Sequence, residues 1–191
     1  MDAQPLGHAF AFALHAHGDQ RRKGTDIPYV SHLMGVASLV LEDEGGIPDA
    51  SAALLHDVVE DTSVSIEDVE ARFGPYVSRI VRGCSDSLVH GGKAPWRERK
   101  EAYLAHLPEE PPEVLRVSVA DKLHNARSIL ADVREHGVGT FDRFNGKREG
   151  TLWYYRTLVQ TYRSIPEFCS RWLDELEYVV GELDQRTRSA G

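Results

Sequence analysis

Apolar residues recur along most of this chain at the three- and four-residue spacing of helices, and strict alternation is nearly absent. The first such stretch, residues 8–17, is rich in Ala, Leu and Phe and stops at Gly18, a natural helix end. After a basic loop, Ser31 is placed to cap a helix running to about Leu41, with Leu33, Val36, Ala37 and Val40 as its buried stripe. "GGIPD" breaks that helix. Pro48 then opens a third one, expected to run without interruption through "ASAALLHDVVED".

Further on, the "SIED" pattern at 65–68 is a capping box. It starts a helix ending near Phe73 and Gly74, and Pro75 opens the next. Residues 86–95 read as an exposed loop, and Trp96 to Leu107 as a helix. "PEEPPE" leads into a long helix over about 113–131. "GTFDRFNGKREG" is a polar connection with room for one helical turn. Helices at 147–164 and 166–186 complete an all-α pattern. No repeat, low-complexity tract or linker interrupts it, so residues 1–191 are read as a single domain.

Composition narrows the function. At 191 residues, with 41% hydrophobic and 27% charged content, the chain has the make-up of a globular protein with a sizeable core. No apolar run reaches membrane-spanning length, and the beginning lacks the basic and apolar regions of a secretory signal. A cytoplasmic location is the expectation. Cys84 and Cys169 are far apart and form no CxxC pair; both are read as inert buried thiols. A net charge of −8 disfavours nucleic acid and anionic membrane as partners. A small anionic ligand remains compatible where basic residues gather, and "QRRKG" at 20–24 is the densest gathering.

Against this background, "LLHDVVEDT" at 54–62 stands out. His56, Asp57, Glu60 and Asp61 lie among residues that ask to be buried, where an unpaired carboxylate costs several kcal/mol. On one helix, His56 and Glu60 share a face, as do Asp57 and Asp61. A solvated helix end with a tucked histidine explains the segment alone equally well. Two further segments favour a cation. His32 sits near the start of its helix beside the basic loop, and Asp121 sits among Leu115, Val117, Val119, Leu123 and Ile129. Two imidazoles and two carboxylates from separate helices form a mixed N/O set suited to Mn²⁺, Fe²⁺ or Zn²⁺.

The arrangement H…HD…D resembles the HD superfamily. Its elaborated form "HDVVEDT", preceded by "QRRKGTDIPYVSHL" and followed by "ADKLHNAR", resembles the hydrolase domain of the RelA/SpoT family and its stand-alone small alarmone hydrolases. The resemblance covers about residues 8–130. It implies that His32, His56, Asp57 and Asp121 bind Mn²⁺, and that Glu60 and Asp61 position or deprotonate the attacking water. It further implies that Arg22, Lys23, Asn125 and Ser128 line a nucleotide pocket. The implied reaction removes pyrophosphate from the 3′ position of guanosine tetra- or pentaphosphate, giving GDP or GTP. The basic loop departs from the family at Gly24 and before Pro28, the last third does not follow the bifunctional enzymes, and alarmone synthesis is not expected.

Two alternatives remain: a phosphohydrolase of another nucleotide or of NADPH on the same scaffold, and a catalytically silent nucleotide-binding module. His124 is read as a packing or supporting histidine, and His17 as a core or surface residue. Trp153, Tyr154 and Tyr155 are read as packing anchors, and Lys147 and Arg148 as a solvated face.

Overall fold

The computed structural model describes residues 4–88 and 94–188, and among these it contains helices but no strand. An isolated bridge pairs Arg21 with Pro28 across the basic loop. The elements run α1 (Gln4–His17), α2 (Val30–Glu42), α3 (Ile47–Leu55), α4 (Val58–Asp61), α5 (Ile66–Cys84), α6 (Trp96–His106), α7 (Pro112–His136), α8 (Lys147–Ser164) and α9 (Leu173–Arg188). Short 3₁₀ turns at Leu107–Glu109 and Val138–Arg143 join α6 to α7 and α7 to α8. Val89 to Lys93, part of the expected 86–95 loop, lie outside the described residues.

Helix α7 is the axis. Its buried face carries Val114, Leu115, Val117, Val119, Ala120, Leu123, Ala126, Ile129 and Leu130, and α2, α3, α5 and α9 pack on it. Apolar residues on several sides of one helix make it a central rather than a surface element. Helices α1, α2 and α3 pack on each other at one end; α6, α8 and α9 build the other. The core runs continuously between them, from Ala9 and Ala13 to Leu176 and Leu183.

The capping box is present: Ser65 Oγ accepts from the Asp68 N–H, and Asp68 returns the bond to the Ser65 backbone. Such caps contribute about 1 kcal/mol. Gly74, at φ 83°, separates the two halves of α5 before Pro75, where the sequence places the break.

Several expectations are corrected. Ser31 caps nothing; α2 starts at Val30 with Tyr29 at its N-cap and no side-chain bond there. Helix α7 continues to His136, closed by Gly137 at φ 75°. The final helix starts at Leu173, not 166. The Ser170 hydroxyl and the Arg171 N–H hold this chain segment onto Asp43 instead. The expected continuous helix through "LLHDVVED" is interrupted: α3 ends at Leu55, and Asp57 (φ −99°, ψ −4°) starts the single turn α4. Cys84 is buried but Cys169 is exposed, so only one of the two is a buried thiol.

Candidate active site

The interruption between α3 and α4 positions the His-Asp pair. His56 Nδ1 lies 2.7 Å from the Ala53 carbonyl oxygen, which can only accept, so Nδ1 carries the proton and Nε2 presents a lone pair. From α2, His32 contributes a second Nε2, 3.3 Å from the first. Asp57 Oδ2 stands 3.0 Å from His56 Nε2 and 3.5 Å from His32 Nε2. Asp121 Oδ1, from α7, stands 3.2 Å from His32 Nε2 and 3.6 Å from His56 Nε2. Three of the four, His32, His56 and Asp57, have their donor atoms mutually within 4.8 Å, and Asp121 joins through both histidines.

Each member is held from behind. Tyr29 OH donates to Asp57 Oδ2 at 2.5 Å, and its ring stacks on buried His17. Lys122 Nζ grips Asp121 Oδ2, while Asn125 Nδ2 donates to Oδ1 at 2.6 Å. His124 Nδ1 lies 2.9 Å from His32 Nδ1, which makes it a supporting residue for the cluster. That contact needs Gly35 on α2, where a Cβ would come within 2.3 Å of the His124 ring.

The electrostatics show what the cluster wants. Burial opposes charge on the His56 imidazole, yet the Asp57 and Asp121 carboxylates drive it well above its ordinary pKa. Burial likewise resists ionisation of Asp121, but the Lys122 ammonium and both histidines hold it well below the carboxylate range. Asp57 behaves the same way, chiefly through His56. Two carboxylate oxygens and two imidazole Nε2 atoms converge on one point, a donor set that suits a cation. Donors bound to one ion at ~2.1 Å stand about 3 Å apart, which is the spacing found here. The residues therefore fit a divalent metal.

Asp57 and Asp121 bring the cluster to the floor of a cleft of about 720 Å³ between the basic loop, α4, α6, α7 and α8, with His32 and His56 buried beneath. Arg22, Lys23, Asn125 and Ser128 line it, as the sequence suggested. Arg22 donates to Asn125 Oδ1 at 2.9 Å, so a chain of bonds runs from the basic loop through Asn125 to Asp121. Lys23 reaches Asn145. Ser128 Oγ donates to the His124 carbonyl oxygen, a helical back-bond that leaves it little to offer a ligand.

Glu60 and Asp61 both line the cleft, with Glu60 turned toward Asp86 and Asp61 toward Gln20. Asp61 is exposed and accepts from Gln20 Nε2 at 3.0 Å, and Gln20 is in turn bonded to His17. Glu60 is half-buried and its Oε1 accepts the Asp86 N–H at 2.5 Å. Burial, then the charges of Asp86 and Asp57, push the Glu60 carboxyl up to about 8.

The sequence reading missed the α6 and α8 wall. Asp86, Trp96, Lys100, Arg143, Tyr154 and Tyr155 all line the cleft. Tyr154 is buried, as an anchor should be, yet its hydroxyl lacks a hydrogen-bond partner. Lys100 sits 5.0 Å from its ring centre. The basic pair in "RERK" and the aromatic "WYY" were the available signals.

Comparisons with known proteins agree with this geometry. The HD domain family model matches residues 9–152. The chain is 40% identical over 132 residues to guanosine-3′,5′-bis(diphosphate) 3′-pyrophosphohydrolase MESH1 of Mus musculus, covering 67% of this chain and 71% of the relative. The Homo sapiens MESH1 is 39% identical over the same shares. The solved structure of a metazoan SpoT ortholog that hydrolyses ppGpp superposes with a TM-score of 0.71 at 27% identity, over 100% of this chain and 98% of that one. A Listeria monocytogenes EGD-e structure gives 0.70 at 27% identity over 83% and 99%. The chain belongs to the HD domain family, alongside the MESH1 proteins.

Proposed function

We propose that this protein is a metal-dependent hydrolase that removes the 3′-pyrophosphate of guanosine tetra- or pentaphosphate (ppGpp or pppGpp), releasing pyrophosphate with GDP or GTP respectively. The observation that carries the reading is the convergence of His32, His56, Asp57 and Asp121 at the floor of a cation-rimmed cleft on a chain of net charge −8. Relatives at about 40% identity carry this activity in their names. These four residues would hold the metal, with Mn²⁺ the first choice and Fe²⁺ or Zn²⁺ compatible with the same donors. When bound, such an ion lowers the pKa of water and offsets charge on the departing phosphates.

The remaining work belongs to the chain's own groups. Glu60 and Asp61, neighbours on α4 at the cleft, orient a water and accept its proton. Arg22 and Lys23 meet the substrate's negative charge, and Asn125 stands beside the nucleoside. Ser128 lines the same pocket. Residues 1–191 act as one domain, in the cytoplasm, on a small nucleotide rather than on nucleic acid or a membrane. Among the described residues no helix is long and apolar enough to cross one.

Products separated after incubation of ppGpp, pppGpp, NADPH and a nucleotide panel with Mn²⁺ test the assignment. Pyrophosphate with GDP from ppGpp is the expected result. Release of inorganic phosphate from NADPH with ppGpp untouched would move the enzyme to the other substrate, and turnover of nothing would make it a binding module.

A further inference from the structure

Asp86 plays no part in the motif-based account of the site, yet it is the most firmly held carboxylate beside it. Its side chain is 3% exposed. Arg99 grips one oxygen, and Lys100 Nζ stands 2.6 Å from the other. Burial opposes its charge, but the Lys100 and Arg99 cations keep its carboxyl below the usual range. Both cations start α6, which packs on α8. Arg99 also donates to the Ala94 carbonyl oxygen, so the clamp fixes the chain entering α6 as well. Glu60 meets Asp86 in two ways: its side chain bears on the Asp86 carboxylate from the cleft side, and its Oε1 accepts the Asp86 backbone N–H.

We propose that Asp86 is a positioning residue for Glu60: the Arg99–Lys100 grip on its side chain fixes its backbone N–H, and that N–H fixes Glu60. This inference rests on the reading of Glu60 as a residue that serves the attacking water. The physical argument concerns freedom. Glu60 has three side-chain torsions and starts from a one-turn helix, α4, too short to restrain it. A carboxylate acting as a base must lie within hydrogen-bond reach of its proton, so an unrestrained Glu60 is a poor one. The N–H anchors Glu60 Oε1 at 2.5 Å. Glu60 and Asp86 are 26 residues apart in sequence, so this contact is a product of the fold.

Because the donor is backbone, no substitution at Asp86 other than proline removes it; loosening the clamp does. Asp86→Ala should lower kcat for ppGpp roughly ten- to hundred-fold, as expected for a reacting group displaced by about 1 Å. KM and metal content should stay close to the parent values. Arg99→Ala should follow in the same direction, and Arg99→Lys should recover most of the loss. Arg99 does not line the cleft, so its effect cannot come from a lost substrate contact.

The decisive measurement is a double-mutant cycle. In a Glu60→Gln background, adding Asp86→Ala or Arg99→Ala should produce little further loss, because the group being positioned is already gone. Equal losses in both backgrounds, or an unchanged kcat in Asp86→Ala, would overturn the positioning role. If Asp86→Ala fails to fold because Lys100 is left buried without a partner, Asp86→Asn and Arg99→Ala carry the same cycle. Full turnover by Glu60→Gln alone defeats the functional reading of Glu60, and this inference with it. A dead Glu60→Gln beside a normal Asp86→Ala defeats only the inference.

Discussion

The floor of the cleft and its rim are both crowded with charge, but they hold it differently. At the floor, His32, His56 and Asp121 are buried and supported from behind by Ala53, His124, Lys122 and Asn125, so their remaining donor atoms have one direction to face. Around the rim, Arg22, Lys23, Lys100 and Arg143 come from three parts of the chain, and each is paired sideways with Asn125, Asn145, Asp86 or Asp132. The floor is preorganised by dry packing. The rim is preorganised by exchangeable polar partners, and a ligand bound there must compete with them. Geometry at the floor should therefore decide whether there is chemistry, and the rim should decide on what.

That contrast is breakable. The largest effect is expected from Asp121→Asn, which withdraws one charged donor and almost no volume. Elemental analysis should show most of the metal gone, with turnover lost and the helical circular dichroism intact. Retained metal and rate would take Asp121 out of the floor.

Glu60→Gln should separate chemistry from metal holding: turnover should drop ~10²–10⁴-fold while metal content persists. Metal loss in this variant would instead merge Glu60 with the floor. At the rim, Arg22→Ala removes a charge-assisted bond to Asn125 and a cation facing the substrate. Roughly a ten- to hundred-fold fall in kcat/KM for ppGpp is expected at unchanged metal content. If the metal is lost as well, the bond chain through Asn125 belongs to the floor and the contrast dissolves. Ser128→Ala should change kcat/KM less than about threefold, since its hydroxyl is bonded to the His124 carbonyl. A larger loss would return Ser128 to the substrate contacts.

The two regions also differ in how far the sequence discloses them. His56 and Asp57 follow Leu54 and Leu55, and Asp121 sits between Ala120 and Lys122 on a helix otherwise apolar around it; charge in such settings announces itself. All-α architecture and the break at Gly74 and Pro75 follow from periodicity and caps. Asp86, Arg99 and Lys100 lie in "CSDS" and "RERK", polar surroundings that read as solvated surface. Their burial appears only when α6 folds back against the core. The break between α3 and α4 carries no glycine or proline to mark it, because tertiary contacts of the His-Asp pair override local helix preference there. The late start of α9 has a similar cause, since Asp43, far away in sequence, fixes the preceding segment.

Gly35 lies outside every motif, yet its missing side chain sets the tightest steric tolerance beside the floor. Helices α2 and α7 approach there closely enough that one methyl group would overlap the His124 ring, and His124 leans on His32. The space His32 occupies is thus defined by a hydrogen atom on the neighbouring turn. Gly35→Ala should cost about 1–3 kcal/mol of stability through overpacking. It should also weaken metal affinity by roughly ten-fold or more by tilting His32, as loss of an outer support does in metal sites generally. An inert position by every chemical criterion would then rank with the functional residues in the damage its smallest substitution does.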